Sequence, residues 1–120
     1  MYYGLGLLPN VMFDTHFIKR GRFGRVSEAV AKHPNLLGIG LAEDTGLVIK
    51  KGNEMTVIGS GMVIIFDGHH LGHNNHKLLE DDTPLTLTNL QVHVLSNSDK
   101  FYLKGRKVEA HPIHLRYALN

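Results

Sequence analysis

Val11-Met12-Phe13-Asp14-Thr15-His16-Phe17-Ile18-Lys19-Arg20-Gly21-Arg22-Phe23-Gly24-Arg25 is the stretch on which the fold turns. Its first three residues are a short apolar run that reads as a buried strand, and Asp14 follows directly. Beyond the junction, Phe23, Val26, Val30 and, more loosely, Ala29 recur at helical spacing, which predicts a helix over Phe17–His33. Gly21 and Gly24 weaken its beginning, so the arginine stretch is either loop or a frayed first turn. His33-Pro34-Asn35 ends it. Strand, polar junction, helix is the order of an α/β unit. Residues at such a junction project from the carboxyl edge of a sheet, where α/β enzymes place their sites.

Upstream, Gly4–Leu8 is a short apolar run closed by Pro9-Asn10 and reads as a strand or strand end entering a turn. Downstream the periodicity changes to strands. Leu37–Ala42 is apolar with glycines. Gly46–Ile49 and Met55–Ile58 flank Lys51-Gly52-Asn53, a hairpin signal. Met62–Phe66 is a continuous apolar strand ending at Asp67-Gly68, and His69–Asp82 is a polar loop. Leu85–Thr88, Gln91–Leu95 and Phe101–Leu103 read as later strands, the last turning at Lys104-Gly105. The expectation is therefore one main helix followed by a β-rich segment.

At 120 residues the chain fits the length of one domain. With 42% hydrophobic and 20% charged residues it can bury a core. A formal charge of +2 is too small to argue for nucleic acid, and the three clustered arginines sit beside acids. The absence of cysteine removes disulfides, thiolate catalysis and cysteine-based zinc sites, and is compatible with the cytoplasm, the compartment expected. No apolar run reaches the length of a membrane span, about 20 residues. The opening Met1–Leu8 has no basic region and does not read as a signal peptide.

Each chemical motif has an ordinary reading beside the functional one. A histidine at the position of His16 can serve as a general base near neutral pH; equally, Asp14 can cap the helix and His16 lie on the surface. Arg20, Arg22 and Arg25 can clamp carboxylates through their guanidinium forks, or form a solvated basic face. Glu43-Asp44-Thr45 offers a carboxylate that could orient an imidazole, or is a plain turn. Gly59-Ser60-Gly61 lacks the Gly-x-Ser-x-Gly spacing of a nucleophile elbow and has strands on both sides, so it reads as a turn or bulge. Ser27 falls within the helix, and Ser96 and Ser98 within a polar turn. His69, His70, His73 and His76 have the spacing of a metal cluster if helical, but Gly72, Asn74 and Asn75 favour an irregular loop, so neither metal nor other cofactor is expected.

Asp14–Arg25, Gly38–Thr45 and Val57–Gly61, in that order and spacing, resemble the cyanophycinases, serine peptidases of family S51. The resemblance covers about the first half of the chain and departs at Thr15, where the family usually carries glutamine. It implies an α/β fold similar to class I glutamine amidotransferases, a flavodoxin-like sandwich, with residues 1–120 forming the C-terminal part of a single domain. It implies His16 as general base and Glu43 as its orienting carboxylate. Asp14, Thr15, Arg20, Arg22, Arg25 and Thr45 would line the pocket for a β-aspartyl-arginine polymer or acidic peptide. The family's serine elbow lies upstream, so the partner implied is the N-terminal half of the same enzyme, and this chain alone should show little peptidase activity. The alternative is a catalytically inactive fragment acting as a binding or oligomerisation module, for which a homodimer is one outcome.

Overall fold

The computed structural model describes residues 2–3, 10–15, 22–72 and 86–110. These form two sheets and one helix. The first sheet takes strands in the order β1 (Tyr2–Tyr3), β2 (Val11–Asp14), β3 (Leu37–Leu41), β6 (Val63–Asp67), β7 (Gln91–Leu95). The second takes β4 (Thr45–Lys50), β5 (Glu54–Gly59), β8 (Lys100–Tyr102) and β9 (Lys107–Glu109). Helix α1 (Arg22–Lys32) joins β2 to β3, which run parallel; the other pairings are antiparallel. The chain is thus α/β with a mixed sheet.

Side-chain alternation sorts the apolar residues into two cores. Val11, Leu37, Ile39, Val63 and Ile65 point from the first sheet onto Met55, Val57 and Phe101 of the second. Met12, Phe66 and Leu36 point the other way and meet Val26 and Val30 of α1. Fully burying each such side chain stabilises the fold by about 1.5–3 kcal/mol. Val26 and Val30, four residues apart, are the helical stripe read from the sequence, and both are fully buried. They sit directly on Gly38, where a Cβ would lie 2.7 Å from Val26 Cγ1. The glycine lets the helix settle onto β3.

Most expected elements are present: the buried strand at Val11, the helix stop after Lys32, the hairpin turning at Lys51–Asn53, the strand at Gln91–Leu95, and the strand expected at Met62–Phe66, which runs one residue later as Val63–Asp67. Expectations for Gly4–Leu8 and for the helix before Gly21 lie outside the described residues. Other details differ, and β1 at Tyr2–Tyr3 is not among the expected strands. Around Leu87 there is an isolated bridge rather than a strand, because Thr88 O accepts from Gly72 N (2.9 Å) and Asn89 turns to φ 60°. The strand expected at Phe101–Leu103 starts and stops one residue earlier. Strand β9 is unheralded: its three residues are all exposed, so no alternation marks it.

Candidate functional site

Parallel pairing decides which loops meet. Asp14, the last residue of β2, lies opposite Gly40 of β3, so the chain leaving β2 and the chain leaving β3 emerge side by side from one sheet edge. Leu41 of β3 lies opposite Val63 of β6, and Val63 opposite Leu95 of β7. The turn entering β6 and the turn leaving β7 therefore reach the same edge. Helix α1 runs back along the sheet, which brings its N-terminus there too. Asp14-Thr15, the start of α1, Ala42–Asp44, Gly59–Met62 and Ser96–Ser98 form one rim.

Asp14 is buried at 1% exposure, while Thr15 beside it is exposed. His16 and Arg20 lie outside the described residues. Arg22 begins α1, and Arg25 is exposed within the helix. No acid occupies the first turn of α1. The first turn thus carries basic and no acidic positions at the positive end of the helix dipole, a sequence that costs helix stability but suits an anion.

The Glu43–Thr45 loop is a tight, hydrogen-bonded turn. Glu43 and Asp44 are exposed, and Asp44 takes φ 54°. Thr45 Oγ1 donates to the Glu43 carbonyl (3.0 Å). Ala42 N donates to Met62 O (3.1 Å), and Ser60 N donates to Asp44 O (3.1 Å). Gly59-Ser60-Gly61 is a bend, as its sequence suggested, with the Gly59 φ at 108°. Neither glycine has room for a Cβ. At Gly59 the added atom would sit 2.0 Å from Asp44 O, and at Gly61 2.3 Å from Thr45 Oγ1. Gly59 N in turn donates to Asn97 Oδ1 (3.2 Å), a residue sequence reading overlooked. Its turn is fixed by Asp99, whose carboxylate accepts from Ser96 N (2.9 Å).

Ser27 is buried within α1, Ser60 lies on the bend between β5 and β6, and Ser96 and Ser98 flank the turn between β7 and β8. None of these four stands at a strand-to-helix elbow. Among the described residues no group of three or more His, Asp or Glu is arranged for a metal ion. His69 and His70 pack edge to face with centroids 4.9 Å apart; His73 and His76 lie outside the described residues.

At the opposite edge of the sheet is a second polar feature that the sequence did not signal. Asp67, 1% exposed, accepts from His69 N (2.9 Å), and its Oδ1 lies 3.6 Å from Arg106 Nη1. Arg106 Nη2 donates to Asn35 O (3.1 Å), tying the β8–β9 turn to the end of α1. A hollow of about 620 Å³ opens beside this pair.

No family model matches the chain. It is similar to cyanophycinase from Trichormus variabilis, 46% identical over 105 residues, 88% of this chain and 35% of that protein. It is also similar to cyanophycinases from Geminocystis herdmanii (41% identical; 87% of this chain, 38% of that protein) and Synechococcus elongatus (36% identical; 88% and 33%). The chain spans about a third of the length of these curated relatives.

Proposed function

We propose that this chain, a relative of the cyanophycinases over 88% of its length, is the C-terminal portion of a serine-type peptidase. That enzyme would hydrolyse cyanophycin, multi-L-arginyl-poly-L-aspartate, to β-Asp-Arg dipeptides. The observation that carries the reading is the shared carboxyl edge of β2 and β3, which gathers Asp14, Thr15, the start of α1 and Glu43. On this reading a serine carried by preceding chain attacks the peptide carbonyl, and His16 takes the hydroxyl proton. Glu43 holds the imidazole in orientation and stabilises its cationic form. The proton then passes to the leaving amine, and water releases the acyl group. Arg20, Arg22 and Arg25 face substrate carboxylates, Thr15 and Thr45 line the pocket, and the buried Asp14 supports its floor. Strands of the preceding segment would extend the parallel β2–β3 pair into a glutamine amidotransferase-like sheet.

The experiment compares the chain alone with the chain joined to a segment bearing the nucleophile elbow. The isolated chain should leave β-Asp-Arg polymer intact and the joined protein should cleave it. In the joined protein Glu43→Gln should lower kcat on the order of 10⁴-fold, as loss of a triad carboxylate does elsewhere. Ser60→Ala should leave kcat in place. Cleavage by the isolated chain that disappears in Ser60→Ala overturns the assignment of the nucleophile to other chain. An inactive joined protein favours the binding-module alternative.

A further inference from the structure

The turn around Glu43 is anchored to the β5–β6 bend. Its carbonyl at Asp44 is held by Ser60 N (3.1 Å), and the preceding Ala42 N is held by Met62 O (3.1 Å). The β5–β6 bend is therefore the bed on which the turn lies. That bed fits only because Gly59 and Gly61 carry no side chain: a Cβ on either would enter Asp44 O or Thr45 Oγ1. The side chain of Asn97 holds the bend from behind. Asn97 Oδ1 accepts from Gly59 N (3.2 Å), while Asn97 Nδ2 donates to Ser98 Oγ (3.1 Å), which fixes which end of the amide faces Gly59. Asn97 belongs to a turn locked by the Asp99 carboxylate on Ser96 N (2.9 Å) and by Ser98 N on Val57 O (2.8 Å). A continuous run of hydrogen bonds thus leads from the β7–β8 turn, through Gly59 and Ser60, to the backbone on the C-terminal side of Glu43.

From this geometry we propose that Asn97 is a positioning residue for the Glu43 carboxylate, acting through the Gly59–Gly61 bend and touching no substrate. The inference rests on Glu43 orienting the imidazole of His16. Thr45 Oγ1 donates to the Glu43 carbonyl, so the backbone of the turn sets the point from which the Glu43 carboxylate projects. A shift of the bend is a shift of Glu43. A misplacement near 1 Å remote from the reacting atoms lowers a rate by up to about a hundredfold.

The test uses the joined protein of the preceding section and the variants Asn97→Ala, Asn97→Asp and Glu43→Gln. Asn97→Ala should lower kcat about tenfold or more while KM stays within about twofold, because orientation and not substrate affinity is lost. A carboxylate near the imidazole raises its pKa. Loosening Glu43 should therefore move the acid limb of the kcat/KM profile to lower pH. Asn97→Asp keeps an acceptor for Gly59 N and should recover most of the rate and the parental acid limb. In the chain by itself, Asn97→Ala should also speed amide hydrogen exchange at Ser60, a readout independent of catalysis. If Glu43→Gln abolishes turnover while Asn97→Ala leaves kcat and the acid limb at parental values, the positioning role is overturned and the role of Glu43 stands. If Asn97→Asp is as impaired as Asn97→Ala, the acceptor is not what matters and the proposal is overturned. If Glu43→Gln is fully active, the proposed function and this inference fall together.

Discussion

At the scale of single residues, one ion pair stands in the second sheet, away from the rim of the β2–β3 edge. Lys100 and Glu54 lie diagonally across the β5–β8 pair, with Nζ to Oε1 at 2.6 Å. The hydrogen bond to Lys100 holds the Glu54 pKa below the ordinary carboxylate value, and the bond to Glu54 raises the Lys100 pKa above the ordinary lysine value. The sign follows from which state holds fewer or more protons. The Glu54 contribution is present above its ordinary pKa and is lost as pH falls through the lowered one. The Lys100 contribution is present below its ordinary pKa and is lost as pH rises through the raised one. Glu54→Gln should therefore lower the melting temperature slightly at pH 7, with the difference shrinking at strongly acidic pH and in high salt, since the pair is solvent-screened. Melting curves of the two proteins at pH 7 and pH 3 check this; a difference that is unchanged at pH 3 would point to packing and not charge.

At the scale of elements, the contact of α1 with β3 is limited by one position. Gly38 meets Val26 Cγ1, Val30 Cγ2 and Phe66 Cβ within 3.4 Å of where a Cβ would stand. Gly38→Ala should destabilise the fold by about 1–3 kcal/mol through overpacking. Adding Val26→Ala should cost less in that background than alone, because it vacates the clash. A double-mutant cycle by urea denaturation reads this coupling, and strict additivity would show that the helix simply moves away. The start of the same helix carries Arg22 and Arg25 with no acid in its first turn, against the preference of the dipole. Local rules broken at a rim that also holds Asp14 and Glu43 are what a binding site leads one to expect.

At the scale of the molecule, β7 is the last strand of its sheet among the described residues, and Val92 and Val94 on it are exposed, Val94 at 61%. An edge strand with outward valines is a template for further pairing. We expect the isolated chain to self-associate through this edge and Val94→Lys to restore a monomer mass in light scattering. A parent chain already monomeric at high concentration would remove β7 as an interface.

The sequence by itself determined the local pieces. Val11–Phe13 is apolar enough to be a strand, Val26 and Val30 fall four apart, Lys51–Asn53 has turn chemistry, and Gly59-Ser60-Gly61 lacks elbow spacing; each signal lies within a few residues. The order of Asp14–Arg25 and Glu43–Thr45 also pointed to the family whose relatives the chain matches. Only the tertiary structure decided which pieces meet. Asn97 bonds Gly59 across 38 positions, Arg106 bonds Asn35 across 71, and the partition into two sheets depends on pairings such as Met55 with Phe101. Such partners obey no period, because a hydrogen bond between loops is fixed by where the strands beneath them end and not by the spacing of the residues that make it.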